Sequence, residues 1–315
     1  MAIVRWGHET QIADIDWLWE PMIPYGKVTI VEGDGGDGKT TLILTVAAML
    51  SRGTPPPTLR DGHLYDATPR EPITTFYLTN EDEIADSSLK RYERARGDTS
   101  RFAYSGELDH HVMLTQDELQ DIVDQTHARL IIVDPFQAFL PEGTNLGNIT
   151  RMRSIFTMLA NFAKTTGVAI VLVGHLNKNE GGKDIHRGFG SADIAASVRS
   201  ILLVEMDKHR NRFVRAIKSN FDESDYSPIQ LVFDEERRLS FKEVDPDEEV
   251  PMVETKINRA ISILKTLLSD GPMPVSEINE IMEEEGIGAK TAQRARAKIG
   301  AVQFYNQNIP YWRQQ

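Results

Sequence analysis

The sequence contains no cysteine, which excludes disulfides, zinc ribbons, iron–sulfur clusters and thiol catalysis. It also lacks any apolar run approaching the ~20 residues of a membrane span. Its start, MAIVRWGHET, has neither the basic opening nor the apolar stretch of a signal peptide. The expectation from these absences is a cytoplasmic protein with no membrane partner. Acidic residues are missing from Gly286 to Gln315, a stretch that holds five basic ones. The whole chain of 315 residues carries a net charge of −12, which by itself argues against a nucleic-acid partner. The distribution argues otherwise. Residues 1–250 hold 27 Lys/Arg against 40 Asp/Glu, whereas residues 251–315 hold 8 against 7. The acidic total conceals a local basic face.

The length suits one large domain plus a small one, or two medium ones. A domain above ~200 residues buries most of its apolar surface, so a core of ordinary size is expected. The acidic segment 243–256, EVDPDEEVPMVETK, has two prolines and little periodicity. It reads as a linker between a domain at 1–242 and another at 257–315. The stretch Gly53 to Arg60 contains three consecutive prolines and reads as a surface loop.

Before the linker, short apolar runs alternate with helical patterns. The runs Val28–Glu32, Ile73–Thr79, Leu130–Asp134, Val168–Val173 and Ser200–Glu205 read as strands. Lys39–Ser51, Ile84–Ala95, Asp117–Thr126, Ile149–Thr166 and Ser191–Val198 read as helices. Continuous Val/Ile/Leu strands between helices imply an α/β fold, with a mostly parallel sheet covered on both faces. Phe213–Lys218 and Ile229–Phe233 read as antiparallel additions at one edge. Ligands in such sheets bind beyond the carboxyl ends of the strands.

The first strand runs into Gly33-Asp34-Gly35-Gly36-Asp37-Gly38-Lys39-Thr40-Thr41 and then a helix. This is a complete G-x-x-x-x-G-K-[ST] phosphate loop in its strand–loop–helix context. The glycines let backbone N–H groups wrap a phosphate, and the helix N-terminus adds a favourable dipole. Lys39 is expected to reach the β- and γ-phosphates of ATP, and Thr40 to bind Mg²⁺. Asp34 and Asp37 are unusual beside phosphates and are expected to point outward. Leu130–Asp134 is an aliphatic strand ending in a carboxylate, so Asp134 is the second expected Mg²⁺ group. Pro135 follows it where an acid is often found, so the base for the attacking water must come from elsewhere. If strand Ile73–Thr79 neighbours the phosphate-loop strand, a carboxylate at its end faces the γ-phosphate, and Glu81 is chosen. Asp82 and Glu83 suit the start of the following helix instead. His175 follows strand Val168–Val173 and either senses the γ-phosphate or is satisfied within its loop.

Together these pieces resemble the RecA-like ATPases, most closely the RepA-type hexameric helicases and related mobile-element ATPases. The resemblance covers about residues 15–242. It is carried by the phosphate loop, Tyr77-Leu78-Thr79-Asn80-Glu81-Asp82, Asp134, and His175-Leu176-Asn177-Lys178. It implies that Glu81 is the catalytic glutamate and His175 the family's histidine. It also implies sites completed between subunits of a homo-oligomeric ring, expected to be a hexamer, by cations on a late strand. Lys218 stands at the lysine of the family's K-x-R pattern. Asn220 replaces the arginine, which leaves Arg215 as the substitute. The alternative is two ordinary solvated basic residues on an edge strand. The glycine-rich loop 177–190 is expected either to meet single-stranded DNA in the ring channel, through Lys178, Lys183, His186 and Arg187, or to serve structure or the subunit interface. Trp17 and Trp19 are expected to pack against the sheet edge, with base stacking as the alternative.

Residues 257–315 read as helices Ile257–Ser269, Val275–Glu285 and Ala289–Ile299 followed by a hairpin, with Ser276 as a cap for the second helix. This resembles a winged helix-turn-helix, which implies a recognition helix carrying Lys290, Arg294, Arg296 and Lys298, with Arg313 on the wing. The alternative is a docking module with a solvated basic face. The combined expectation is an ATP- and Mg²⁺-dependent DNA motor, a helicase or single-strand translocase in the replication of a plasmid, phage or other mobile element. One rival is an ATP-switched DNA-binding regulator or loader that does not unwind. A weaker rival is a P-loop kinase.

Overall fold

The computed structural model describes residues 14–80, 84, 87–105, 112–141, 144, 148–174, 198–221, 227–244, 256–269, 271–307 and 309–313. The chain forms two compact units, Met1–Pro251 and Met252–Gln315. The strands of the first unit are β1 (Trp17–Trp19), β2 (Ile23–Pro24), β3 (Val28–Glu32), β4 (Thr58–Arg60), β5 (His63–Tyr65), β6 (Thr75–Thr79) and β7 (Phe102–Tyr104). They continue with β8 (Leu130–Asp134), β9 (Ala169–Val173), β10 (Ser200–Met206), β11 (Arg212–Ser219), β12 (Ile229–Phe233) and β13 (Leu239–Glu243). Its helices are α1 (Lys39–Leu50), α2 (Ser88–Arg94), α3 (Gln116–Thr126) and α4 (Ile149–Thr166).

Among the described residues nine strands form one sheet in the order β13-β12-β11-β10-β3-β9-β8-β6-β7. From β10 to β7 every pairing is parallel. From β10 to β13 every pairing is antiparallel. Strands β3, β6, β8 and β9 are buried at every residue. Such strands have no polar face to offer water, so each side of the sheet must be covered by helices. Each buried Val, Leu or Ile contributes roughly 1.5–3 kcal/mol relative to exposure. Helix α1 is buried along most of its length and forms part of the main core. Helix α3 buries Leu119 and Ile122 and starts at Thr115, whose hydroxyl accepts the Glu118 N–H. Helix α4 stops at Gly167, whose φ of +74° is the left-handed conformation that ends helices.

Three features differ from the sequence reading. The triple proline is not simply a surface loop: Pro55 and Pro56 are buried, and the Pro57 carbonyl accepts the Trp19 indole N–H at 2.9 Å. Strands β7 and β13 add an outer strand at each edge, and both are too short or too polar to show a pattern in the sequence. Strand β6 does not neighbour β3, since β9 and β8 lie between them.

The second unit has helices α5 (Lys256–Ser269), α6 (Val275–Glu284) and α7 (Ala289–Lys298) and strands β14 (Met273–Pro274), β15 (Val302–Asn306) and β16 (Ile309–Arg313). The strands form an antiparallel sheet in the order β14-β16-β15. Ala260, Leu264 and Leu268 of α5 pack with Ile278, Met282, Ala292, Ala295 and Trp312 in a small core. Pro274, not Ser276, occupies the cap position of α6. No helix among the described residues is long and apolar enough to cross a membrane.

Candidate nucleotide site

The phosphate loop leaves the carboxyl end of β3, a buried strand in the middle of the sheet. Gly33 passes so close to β10 that a Cβ there would stand 2.2 Å from the Val204 carbonyl oxygen. Gly38 takes φ +105° as the cap residue of α1, a conformation that L side chains rarely adopt. Lys39 is 5% exposed, and its ammonium donates to the carbonyls of Gly33 at 2.9 Å and Asp34 at 2.7 Å. Burial lowers its pKa, against the opposing pull of Asp37, Asp134 and Asp34. Its charge is thus aimed across the loop in a poorly solvated place, where an anion gains most from it.

Thr40 Oγ1 donates to Asp134 Oδ2 at 2.5 Å. The two oxygens suit Mg²⁺, a hard cation that is usually held by one or two protein groups plus substrate phosphates. Among the described residues no cluster of three or more His, Asp or Glu side chains offers a rival metal site. Open space around Gly35 and Gly36, with nothing within 4 Å of a Cβ at either, leaves room for phosphate oxygens. The residues present therefore fit a Mg–nucleotide phosphate tail.

Asp34 is exposed, as expected, but Asp37 is not. Its carboxylate turns back into the loop and accepts the Asp34 N–H at 2.8 Å. Burial raises its pKa, with the Asp34 N–H and Lys39 opposing. The loop uses Asp37 to hold its own backbone, which corrects the outward placement.

The structure also corrects the premise for Glu81, because β6 pairs with β8 and β7 and not with β3. Thr79 nevertheless lies directly opposite Asp134 in the β6–β8 register. Glu81 itself lies outside the described residues, as do His175, Lys178, Lys183, His186 and Arg187. Arg215 is 3% exposed, with Nε 3.0 Å from Glu205 Oε1. A guanidinium engaged inside its own subunit does not reach a neighbour, so the substitute role given to Arg215 is withdrawn. Its strand, β11, is also no edge strand but lies between β10 and β12. Lys218, opposite Ile201 near the amino end of β10, donates to the Val198 carbonyl at 2.7 Å. Burial, with Arg199 nearby, lowers its pKa. Trp17 and Trp19 both pack inside, edge-on to Phe221 and tilted against Phe241 respectively.

Sequence reading missed Tyr77, whose hydroxyl lies 3.4 Å from Asp134 Oδ2 and accepts from Ser88 Oγ at 3.3 Å. Its strand position two residues before Thr79 was visible, but its facing partner was not. Reasoning from sequence also missed Arg212 and Phe233, which approach Gly38 from β11 and β12.

In the second unit Lys290, Arg294 and Lys298 are exposed on α7. Arg296 is less exposed, and its guanidinium lies over the Trp312 ring, 5.5 Å from the centroid. Arg313 is exposed and lies over Phe304 at 5.2 Å.

Residues 3–181 match the AAA domain family, a span that takes in the phosphate loop and Asp134. The chain belongs to that family. As an AAA domain it has a RecA-like P-loop ATPase core. It is similar to the DNA repair protein RadA of Halalkalibacterium halodurans, 25% identical over 219 residues, which are 68% of this chain and 40% of that protein. RadA of Mycobacterium tuberculosis H37Rv is 25% identical over 231 residues, 71% of this chain and 42% of the relative. The chain thus spans about two fifths of the length of the curated relatives it matches. Among solved structures, a KaiC-like protein from Pyrococcus horikoshii aligns at 12% identity with a TM-score of 0.48, covering 74% of this chain and all of that one.

Proposed function

We propose that this AAA domain is a Mg²⁺-dependent ATPase that works on DNA as a ring-forming motor, a helicase or single-strand translocase. The observation that carries the ATPase reading is the convergence of Lys39, Thr40 and Asp134 at the carboxyl end of the sheet. Lys39 binds the phosphate tail, and Thr40 and Asp134 hold the metal. Bound Mg²⁺ would neutralise charge on the phosphates. Glu81, two residues past Thr79, is the proposed base for the attacking water, and His175 the proposed γ-phosphate sensor. Lys218 is the proposed cation acting across a subunit boundary in a hexamer.

DNA as partner draws support from the curated relatives, which are named DNA repair proteins. The order of helices and strands in the second unit supports a winged helix-turn-helix, with α7 as its recognition helix. Lys290, Arg294 and Lys298 would meet duplex DNA there, and Lys183 and Arg187 single strands in the ring channel. Replication of a plasmid, phage or mobile element is the setting that the likeness to RepA-type helicases suggests.

The exposed cations of α7 also favour a second reading, an ATP-switched DNA-binding regulator or loader. ATPase rates without DNA, with single strands and with duplex, together with strand displacement and the oligomer mass with ATP, separate the two. Hydrolysis without displacement on any substrate rejects the helicase. Glu81→Gln should bind ATP and stall hydrolysis, and unchanged turnover removes Glu81 as the base.

A further inference from the structure

Away from the phosphate loop, the first unit holds a cavity of about 540 Å³ beside the far half of α1. That volume falls within the range of small-molecule sites. It shares no residue with the space beside the phosphate loop that Arg212 and Phe233 line. Met49 of α1, Leu64 and Tyr65 of β5 and Phe241 of β13 give it an apolar and aromatic lining. Met49 stands ten residues along α1 from Lys39, roughly 15 Å at 1.5 Å per residue.

Three guanidiniums and one carboxylate also line it, those of Arg52, Arg96, Arg238 and Asp66. Two of the cations are already engaged. Arg52 donates to the carbonyl of Ala95 at 2.9 Å and to that of Arg96. Arg238 pairs with Asp234 at 2.8 Å and with Glu236 at 3.0 Å. The Arg96 guanidinium has neither an ion pair nor a hydrogen bond among the described residues. Its backbone is held in a conformation that suits another residue. Helix α2 ends in a Schellman turn, in which the Arg96 N–H donates to the Glu93 carbonyl at 2.7 Å and the Gly97 N–H to the Tyr92 carbonyl at 3.0 Å. Arg96 takes φ +61° at the position of that turn where glycine is usual. Glycine would make the same turn without the steric cost, so the side chain is the reason for an arginine there.

We propose that this cavity binds a small amphipathic anion, an organic acid whose aromatic or branched body fills the apolar part and whose acidic group pairs with Arg96. Tyr65 is 53% exposed, and a ligand that covers its ring removes apolar surface from water. Arg96 offers a planar fork of donors that matches a carboxylate or a sulfonate. Arg52 holds the Arg96 carbonyl, so the cation projects from a fixed turn. Asp66 repels a second acidic group, so a monoanion fits better than a dianion. The ligand and a nucleotide should occupy the chain together, since their sites have no residue in common.

The test is fluorescence titration of the full chain with 8-anilinonaphthalene-1-sulfonate, an aromatic monoanion, and with uncharged N-phenyl-1-naphthylamine, which has the same rings. The wild type should bind the anion saturably, and ADP with Mg²⁺ should not displace it. Arg96→Gln should weaken the anion roughly tenfold or more, the worth of a hydrogen bond to a charged group, and change the uncharged probe less than about twofold. Tyr65→Ala should weaken both probes about two- to tenfold, the worth of an aromatic contact. Arg96→Gly should lose the anion as Arg96→Gln does, yet raise the melting temperature by about 2–4 °C, because the turn prefers glycine. That rise separates lost binding from lost folding, and a fall would overturn the argument from the turn. The proposal is overturned if the wild type does not bind the anion saturably, if ADP displaces it, or if Arg96→Gln and Tyr65→Ala leave its affinity unchanged. Equal weakening of both probes in Arg96→Gln would likewise remove Arg96 as the partner of the acidic group.

Discussion

Thr40 Oγ1 and Asp134 Oδ2 stand 2.5 Å apart although 94 positions separate them in the sequence. The contact ties the first turn of α1 to the end of β8, and it is short because a hydroxyl donates to an ionised carboxylate. Both oxygens belong to residues expected to bind Mg²⁺, so the loop and β8 arrive already matched. Thr40→Ala and Asp134→Asn should each lower ATP turnover about a hundredfold, as loss of a transition-state charge contact does. Thr40→Ser keeps the hydroxyl and should stay near wild type. Steady-state rates over a Mg²⁺ titration check this, and unchanged curves in the first two variants would refute it.

Tyr77 adds a weaker donor to the same carboxylate, at 3.4 Å. Tyr77→Phe should raise the Mg²⁺ concentration for half-maximal activity about two- to fivefold, the worth of one modest hydrogen bond. Maximal turnover should change little. A shift in turnover with no change in Mg²⁺ dependence would place Tyr77 elsewhere in the mechanism.

Asp37 holds the loop at a cost in stability that depends on pH. Its folded pKa is raised above the ordinary 3.8, chiefly by burial. Below that ordinary value both folded and unfolded chains hold the proton, and the group contributes nothing. As pH rises from there, the unfolded chain ionises first, so stability falls until the folded carboxyl also ionises and then stays lower. Asp37→Asn keeps an acceptor for the Asp34 N–H and removes the charge. In nucleotide-free protein it should gain on the order of 0.5–1 kcal/mol at pH 7. That gain should vanish in acid, below the ordinary carboxyl range. Thermal melts at both pH values decide it, and an equal gain at both would show that charge is not the cause.

Gly33→Ala tests the close approach of the loop to β10. Its Cβ would meet the Val204 carbonyl at 2.2 Å, and backbone cannot move aside cheaply. A loss of about 2 kcal/mol or more is expected, together with weakened nucleotide binding. A melting temperature equal to wild type would contradict the geometry.

Arg296 and its neighbours on α7 should separate packing from binding. Arg296→Ala removes a guanidinium from the Trp312 face and should destabilise the second unit by about 0.5–1 kcal/mol. Lys290→Ala, Arg294→Ala and Lys298→Ala should leave melting nearly unchanged, and each should reduce the salt slope of duplex binding by about one. Equal salt slopes in all variants would favour the docking reading of the module.

The residues of the phosphate loop, the apolar strands and the helices at 39–50, 116–126 and 149–166 were legible in the sequence. They depend on local signals: a glycine pattern, runs of branched side chains and helical periodicity, each of which acts between near neighbours in the chain. The RecA-like P-loop ATPase class followed from the same segments. Sheet order was not legible, because strand pairing joins residues far apart, and β6 proved to lie beyond β9 and β8 rather than beside β3. The fate of each charge was likewise decided by what faces it. Glu205 holds Arg215 inside the sheet, the Asp34 N–H draws Asp37 into the loop, and Phe233 carries Arg212 to the edge of the phosphate site. The sequence alone determined that this chain would build a phosphate loop on a buried strand. Tertiary structure decided which side of that loop faces Asp134 and which opens on an aromatic–arginine cavity, because only folding places β8 on one side and β11 and β12 on the other.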